Sequence, residues 1–233
     1  MAESDGQVDV ERETVRFPVD IILQCVRWVV AYPLSYRQNA EMMAERGVQV
    51  DLSTLQRGAI RFLPVLTERF RQLKKTVGPQ WRRDETDVRI SGKWQYCYRA
   101  VDSEGKTVDC LLYDKRDHAA ALSCFQQAID QHGHPEGVAI DKSGSNQSAL
   151  IALNAEDAPT IQIRQNKYLN NLIEQDYRAI KRRTQPMLGF KDAASAAIIL
   201  SGIELMHALK KGQLNVSAQS LTPEAQFYGV LTS

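Results

Sequence analysis

Apolar residues recur every three or four positions in successive stretches near the start of the chain. In FPVDIILQCVRWVVAY the set Val19, Ile22, Leu23, Val26, Val29 and Val30 marks one buried helical face, and Pro33 ends it. Ser35 caps a second helix, YRQNAEMMAERG, with Met42 and Met43 inward and Gly47 closing it. Ser53 or Asp51 opens a third through TLQRGAIRFL, which Pro64 is expected to stop. A further basic helix, LTERFRQLKKTV, leads to a break at Gly78-Pro79. Helix, short glycine-containing turn, helix is the order of a helix-turn-helix, whose second helix enters the major groove with its first residues facing bases. Here those residues are Ser53, Thr54, Gln56 and Arg57. Three packed helices that never meet DNA share the same pattern.

From Trp81 the period changes. WRRDETDVRI, KWQYCYRAVD and KTVDCLLYD alternate in part, and Ser91-Gly92 and Ser103-Glu104-Gly105 separate them, as in strands joined by hairpins. HAAALSCFQQAIDQ is an amphipathic helix, and GVAI is a short apolar strand running into Asp141. A polar loop, KSGSNQS, leads to a helix and then to another strand, TIQI. YLNNLIEQDYRAIKRR carries Leu169, Leu172, Ile173, Tyr177 and Ile180 on one stripe, and SAAIILSGIELMHALKKGQ is a last apolar helix. From about Asn215 the chain is polar and expected to be loosely held. Three antiparallel strands, a helix, then strand–helix–strand–helix is the order of an α/β, ribonuclease H-like mixed sheet flanked by helices, preceded by a small all-α helix-turn-helix domain. The expected divisions are an acidic tail at 1–16, the helix-turn-helix domain at 17–78, the catalytic domain at 79–213 and a polar tail at 214–233.

Composition narrows the class. The net charge of +1 hides a segregation: −4 over residues 1–26, +7 over 27–83, −6 over 102–157 and +5 over 164–191. Basic blocks suit phosphate backbones, and an acidic block suits a bound cation or a solvated face. No run approaches the length of a membrane span, and the acidic start does not resemble a signal peptide. Cys25, Cys97, Cys110 and Cys124 form no CxxC pair, so free thiols in a reducing, cytoplasmic setting are expected and a zinc site is not. His132 and His134 have no partner ligands nearby in sequence and read as ordinary loop residues. Trp81 and Trp94 read as core.

Three acids sit where such a core converges. Asp84 lies inside the first strand, Asp141 ends the fourth at the carboxyl edge where open sheets place ligands, and Glu174 lies on the helix with the apolar stripe. The intervals are 57 and 33 residues. Singly, each acid reads more readily as a surface or turn residue than as a catalytic one. Together they are hard oxygen donors suited to Mg²⁺ or Mn²⁺, able to support phosphodiester chemistry without a protein nucleophile.

The phrases WRRDET, GKWQYCYRAVDSEGKTVD, KRDHAAAL, DKSG, RQNKYLNNLIEQDYRAIKRRTQPMLGF and GIELMHALKKGQ resemble the transposases of small bacterial insertion sequences, the insertion-sequence-six family. LSYRQNAEMMAERGVQVDLST resembles that family's helix-turn-helix, and the similarity runs from about Phe17 to Gln213. The resemblance implies a DDE catalytic domain dependent on Mg²⁺ (or Mn²⁺), with Asp84, Asp141 and Glu174 as its triad. It implies binding to terminal inverted repeats and target DNA, cointegrate formation, and by analogy a homodimer or larger synaptic assembly. Lys181 matches the family's basic residue two helical turns after the glutamate, placed to hold a DNA phosphate. Arg37, Arg61, Lys167, Arg178, Arg182 and Arg183 are further candidate DNA contacts, although Arg178 is also spaced to pair with Glu174.

Three positions depart from the family pattern. Asp87 stands where an aromatic residue is common, and Tyr177 where a histidine is common. Gly58 stands where a tryptophan is common, which predicts a weakened recognition helix lacking a large packing group. Two other functions fit parts of the chain: a non-catalytic DNA-binding remnant acting as a repressor, and a nuclease for RNA–DNA hybrids. The intact triad opposes the first, and the helix-turn-helix opposes the second.

Overall fold

The computed structural model describes residues 17–231 except 142–143, 157–158, 166–170, 188 and 216–221; the side chains of residues 171–176, 179 and 186 also lie outside the description. Three helices open the described chain: α1 (Val19–Ala31), α2 (Tyr36–Ala44) and α3 (Leu52–Leu73). The Ser35 hydroxyl accepts from the Gln38 backbone N–H and the Gln38 side chain caps Ser35 in return, so two otherwise orphaned donors are satisfied where α2 begins. The Asp51 carboxylate caps α3 by accepting from the Thr54 N–H. Cys25, Trp28, Met43, Val50 and Leu55 form a small core among these helices.

Pro64 does not stop the third helix. One helix of 22 residues runs through it. A proline there removes one helical hydrogen bond at about 3 kcal/mol. The buried stripe on both sides of it, Ala59, Phe62, Leu63, Leu66 and Phe70, holds the helix against α1 and the later core, which outweighs the local cost.

The sheet has five strands in the order β3-β2-β1-β4-β5. β1 (Gln80–Ile90), β2 (Lys93–Asp102) and β3 (Thr107–Tyr113) are antiparallel neighbours, while β4 (Gly137–Ile140) joins β1 in parallel and β5 (Gln162–Gln165) joins β4 in parallel. The β1–β2 hairpin turns at Ser91 (φ 50°) and Gly92 (φ 77°), the two positive angles that match strand twist. One face of the sheet buries Trp81, Val138 and Ile140 against α4 (His118–His132) and α5 (Gly144–Glu156). The loop expected before α5 is therefore short, since the helix begins at Gly144.

The other face buries Val88, Ile90, Cys97 and Val101 against α1, α3, α6 (Asn171–Thr184) and α7 (Ala193–Lys210). α7 is apolar and long enough to cross a membrane by composition alone, yet Ile199, Leu200, Ile203, Leu205, Met206 and Leu209 are buried inside the protein. Arg99 on β2 and Glu204 on α7 form a buried ion pair, and Arg99 also donates to Thr107 Oγ1 at 3.0 Å.

The first helices and the sheet share one core. The stretch after Asn215, expected to be loose, contains α8 (Pro223–Gly229), which with Val230 buries Phe227 and Val230 in that core and receives a hydrogen bond from Arg27 Nε to Tyr228 Oη at 3.0 Å. A sparse apolar pattern hid this element, because two large side chains per two turns suffice to dock a short helix.

Candidate active site

Parallel pairing aligns Gln80 with Gly137, Trp81 with Val138 and Arg82 with Ala139. Carried two residues further toward the carboxyl ends, this register sets Asp84 beside Asp141. The interval of 57 residues between the two acids is the same offset that pairs Arg82 with Ala139. Both side chains are half-buried, and Asp84 Oδ1 accepts from the Glu85 N–H at 2.9 Å. Strand alternation puts Asp84 on the face of Val88 and Ile90, toward α6.

Tyr177 fixes α6 on that face. Its buried hydroxyl donates to the Asp84 carbonyl at 2.5 Å and lies 3.4 Å from the Cys97 carbonyl. Burial pushes the phenol well above its ordinary pKa, so it stays a neutral donor. This residue replaces the titratable neighbour the family pattern favours with an anchor between helix and strand. Glu174 lies one turn earlier on α6. Its side chain lies outside the described residues.

Past Tyr177 the basic residues of α6 separate. Arg178, Lys181 and Arg182 are exposed. Arg183 is instead buried and donates through Nε to the Ala31 carbonyl at 3.2 Å, which ties α6 to α1. Lys181 borders an open cleft of about 550 Å³ together with Thr86, Val88, Trp94 and Phe190. Trp94 is 61% exposed, contrary to its reading as core, because the β1–β2 hairpin carries it beyond the covering helices. Trp81 is core as expected, and its indole N–H donates to the Gly78 carbonyl. Asp87 is exposed on the same hairpin, facing away from Asp84 by strand alternation.

Three residues at the site carry no signal that the sequence reading used. The Glu85 side chain is 3% exposed, accepts from Asn146 Nδ2 at 2.9 Å, and pairs with the Arg116 guanidinium. The same guanidinium lies 3.8 Å from Asp141 Oδ2. In the sequence Glu85 is only the residue beside Asp84, and Arg116 one charge in KRDH. Only the fold brings Arg116, just before α4, to the mouth of β4.

In the helical region Arg37, Ser53, Gln56, Arg57 and Arg61 are exposed and Thr54 is half-buried. The Ser53 and Thr54 hydroxyls both donate to the Asp51 carboxylate, so part of their bonding capacity serves the cap. These bonds also hold the Asp51 carboxyl well below its usual range. Lys167 lies outside the described residues. Gly58 is not on the outer face at all. A Cβ built there would stand 2.5 Å from Ile22 Cγ2, so this glycine permits the close crossing of α3 on α1. The expectation that a large packing group is missing at Gly58 is thereby corrected: no space exists for one. His132 likewise has a structural role, with Nε2 2.9 Å from the Val108 carbonyl.

Asp84, inside β1, and Asp141, just past the end of β4, are oxygen donors, a donor chemistry that fits a hard divalent cation. Among the described residues no third histidine, cysteine or acid joins them, and the expected third donor, Glu174, is the one whose side chain is not described. The five-stranded mixed sheet with helices on both faces is the architecture expected of a ribonuclease H-like core. Residues 78–213 match the family described as a DDE domain, of the IS240 transposase type. The transposase for insertion sequence-like element IS431mec of Staphylococcus aureus is 36% identical over 215 residues, covering 89% of this chain and 92% of its own. The transposase for insertion sequence element IS257 in transposon Tn4003, also from Staphylococcus aureus, is 35% identical over the same extent. The HTLV-2 integrase catalytic core domain, solved in complex with magnesium, is similar at a TM-score of 0.42 and 18% identity, over 66% of this chain and 99% of its own. The chain belongs to the DDE transposases of insertion sequences.

Proposed function

We propose that this protein binds the terminal inverted repeats of an insertion sequence and catalyses cation-dependent strand cleavage and strand transfer into target DNA. The β1–β4 register, which pairs Arg82 with Ala139 at the same offset that separates Asp84 from Asp141, is the observation that supports this reading. Asp84, Asp141 and Glu174 serve as the oxygen donors, with Tyr177 holding the helix of Glu174 on the strand of Asp84. Bound there, Mg²⁺ or Mn²⁺ supplies Lewis-acid charge to the scissile phosphodiester. Lys181, two turns after Glu174 and exposed along the cleft, holds a flanking phosphate, and Arg178 and Arg182 extend that contact. Gln56 and Arg57 are the residues of α3 with side chains exposed for bidentate base contacts, with Arg37 and Arg61 on the phosphates. Two element ends must be held together for transfer, so a dimer or larger assembly on DNA in the cytoplasm is the working form.

The test uses labelled terminal-repeat DNA with Mg²⁺ or Mn²⁺, comparing the protein with Asp84→Asn. Nicking at the element end that vanishes in the variant is the expected result. Binding without nicking in both proteins would instead identify a repressor-like remnant, and cleavage of only the RNA strand of a hybrid would identify a hybrid nuclease.

A further inference from the structure

We propose that Arg116 is a resident counter-ion of the metal site, a positioning residue that competes with the divalent cation for Asp141 and so sets the affinity for it. The inference rests on the reading of Asp84 and Asp141 as cation donors. Two carboxylates set side by side on adjacent strands repel each other when no cation lies between them. Among the described residues a positive group stands at this point. The Arg116 guanidinium, 3.8 Å from Asp141 Oδ2, is aimed there by its pairing with Glu85. Glu85 is a firm tether, because its side chain is 3% exposed and also accepts from Asn146, itself fully buried on α5. Arg116 is 45% exposed, so it has room to turn away from Asp141 while keeping Glu85. Planar guanidinium geometry suits such a bridge between two carboxylates.

The arrangement predicts opposite effects at its two ends. Removing the guanidinium charge takes one competitor away from Asp141 and removes repulsion of the incoming cation. Removing the tether leaves Arg116 with Asp141 as its principal acidic partner, which strengthens the competition. General damage to the site weakens cation binding in both cases.

Mn²⁺ binding to the full chain without DNA, followed by the loss of the free-ion spin-resonance signal, reads this directly. Arg116→Gln is expected to tighten Mn²⁺ binding by about three- to tenfold, a range reduced by solvent exposure and salt. Glu85→Gln is expected to weaken it, and Arg116→Lys, which keeps a charge able to pair with Glu85, to stay within about twofold of the parent. Unchanged or weaker binding in Arg116→Gln overturns the proposal, as does tighter binding in Arg116→Lys to the same extent as in the glutamine variant. If Glu85→Gln does not fold, the two Arg116 variants still decide. The underlying reading is judged separately by Asp84→Asn: if Mn²⁺ affinity is indifferent to that change, these acids are not the cation site.

Discussion

Adding one methyl group at Gly58 probes the crossing of α3 on α1. Alanine gains about 1 kcal/mol of helix propensity over glycine, so on an open helix face Gly58→Ala would stabilise. Here the new Cβ would lie 2.5 Å from Ile22 Cγ2 and 3.7 Å from Val26 Cγ2. Ile22 is 1% exposed, and its Cγ2 is attached at the branch, so it cannot swing aside without leaving its rotamer or shifting the helix. Overpacking of this kind costs about 1–3 kcal/mol. The net expectation is a loss of about 1 kcal/mol, or a melting temperature about 2–4 °C lower for a chain of this size. Urea denaturation followed by circular dichroism measures it. Ile22→Ala supplies the control: that change alone costs about 2–5 kcal/mol, but it removes the clashing atom. In that background Gly58→Ala is expected to stabilise by about 0.5–1 kcal/mol, since only the propensity term remains. A rise in stability from Gly58→Ala alone would refute the close-crossing argument and restore the view that this position lacks a packing group.

Two further outcomes follow from buried polar contacts. Tyr177→Phe removes the hydroxyl that donates to the Asp84 carbonyl and is expected to cost about 1–2 kcal/mol in thermal or urea unfolding; no loss would mean that α6 is held by apolar packing alone. Burial lowers the His132 pKa to about 4, so the folded protein resists protonation that the unfolded chain accepts near 6.5. The stabilising contribution is thus fully present above about pH 6.5 and is lost as pH falls through about 4; with the ring part-exposed it amounts to about 1–2 kcal/mol. His132→Gln should flatten the stability profile across that window, and a profile as steep as the parent's would assign the acid sensitivity to other groups.

The paired acids were legible because a strand register is also a sequence interval. Once GVAI and WRRDET are read as parallel neighbours, the spacing of Asp84 and Asp141 determines whether they meet, and the observed pairing of Arg82 with Ala139 has the same 57-residue offset. Arg116 and Glu85 were not legible for the complementary reason. Their meeting depends on how the turn before α4 enters, which no periodicity encodes, and a buried glutamate beside an aspartate looks the same in sequence as two exposed acids. Pro64 and α8 failed as local signals because tertiary burial outweighed them. Arg183, one of a run of basic residues, shows the converse: only the packing of α6 on α1 distinguishes it from Arg182.

The misreading at Gly58 follows from treating the first helices as a separate module. Gly78-Pro79 divides the chain by composition, and the DDE match begins at residue 78. The packing does not divide there. Leu63 and Leu66 of α3 and Val29 and Val30 of α1 share a core with Ile199, Leu200 and Ile203 of α7 and with Val88 and Ile90 of β1. Gly202 on α7 makes the same kind of close approach, where a Cβ would stand 2.8 Å from Val30 Cγ1 and 2.7 Å from Leu63 Cδ2. Beyond Leu73, Lys75 donates its N–H to the Gln213 carbonyl and Asn215 donates to that of Leu73, so the supposed linker is strapped to the end of α7. A cut at Pro79 would therefore bare the apolar face of α7 rather than release a self-contained catalytic domain. Substitutions on the buried side of α3 act on the core shared with the sheet that carries Asp84, whereas the outward positions, Gln56 and Arg57 among them, are exposed and stand clear of that core.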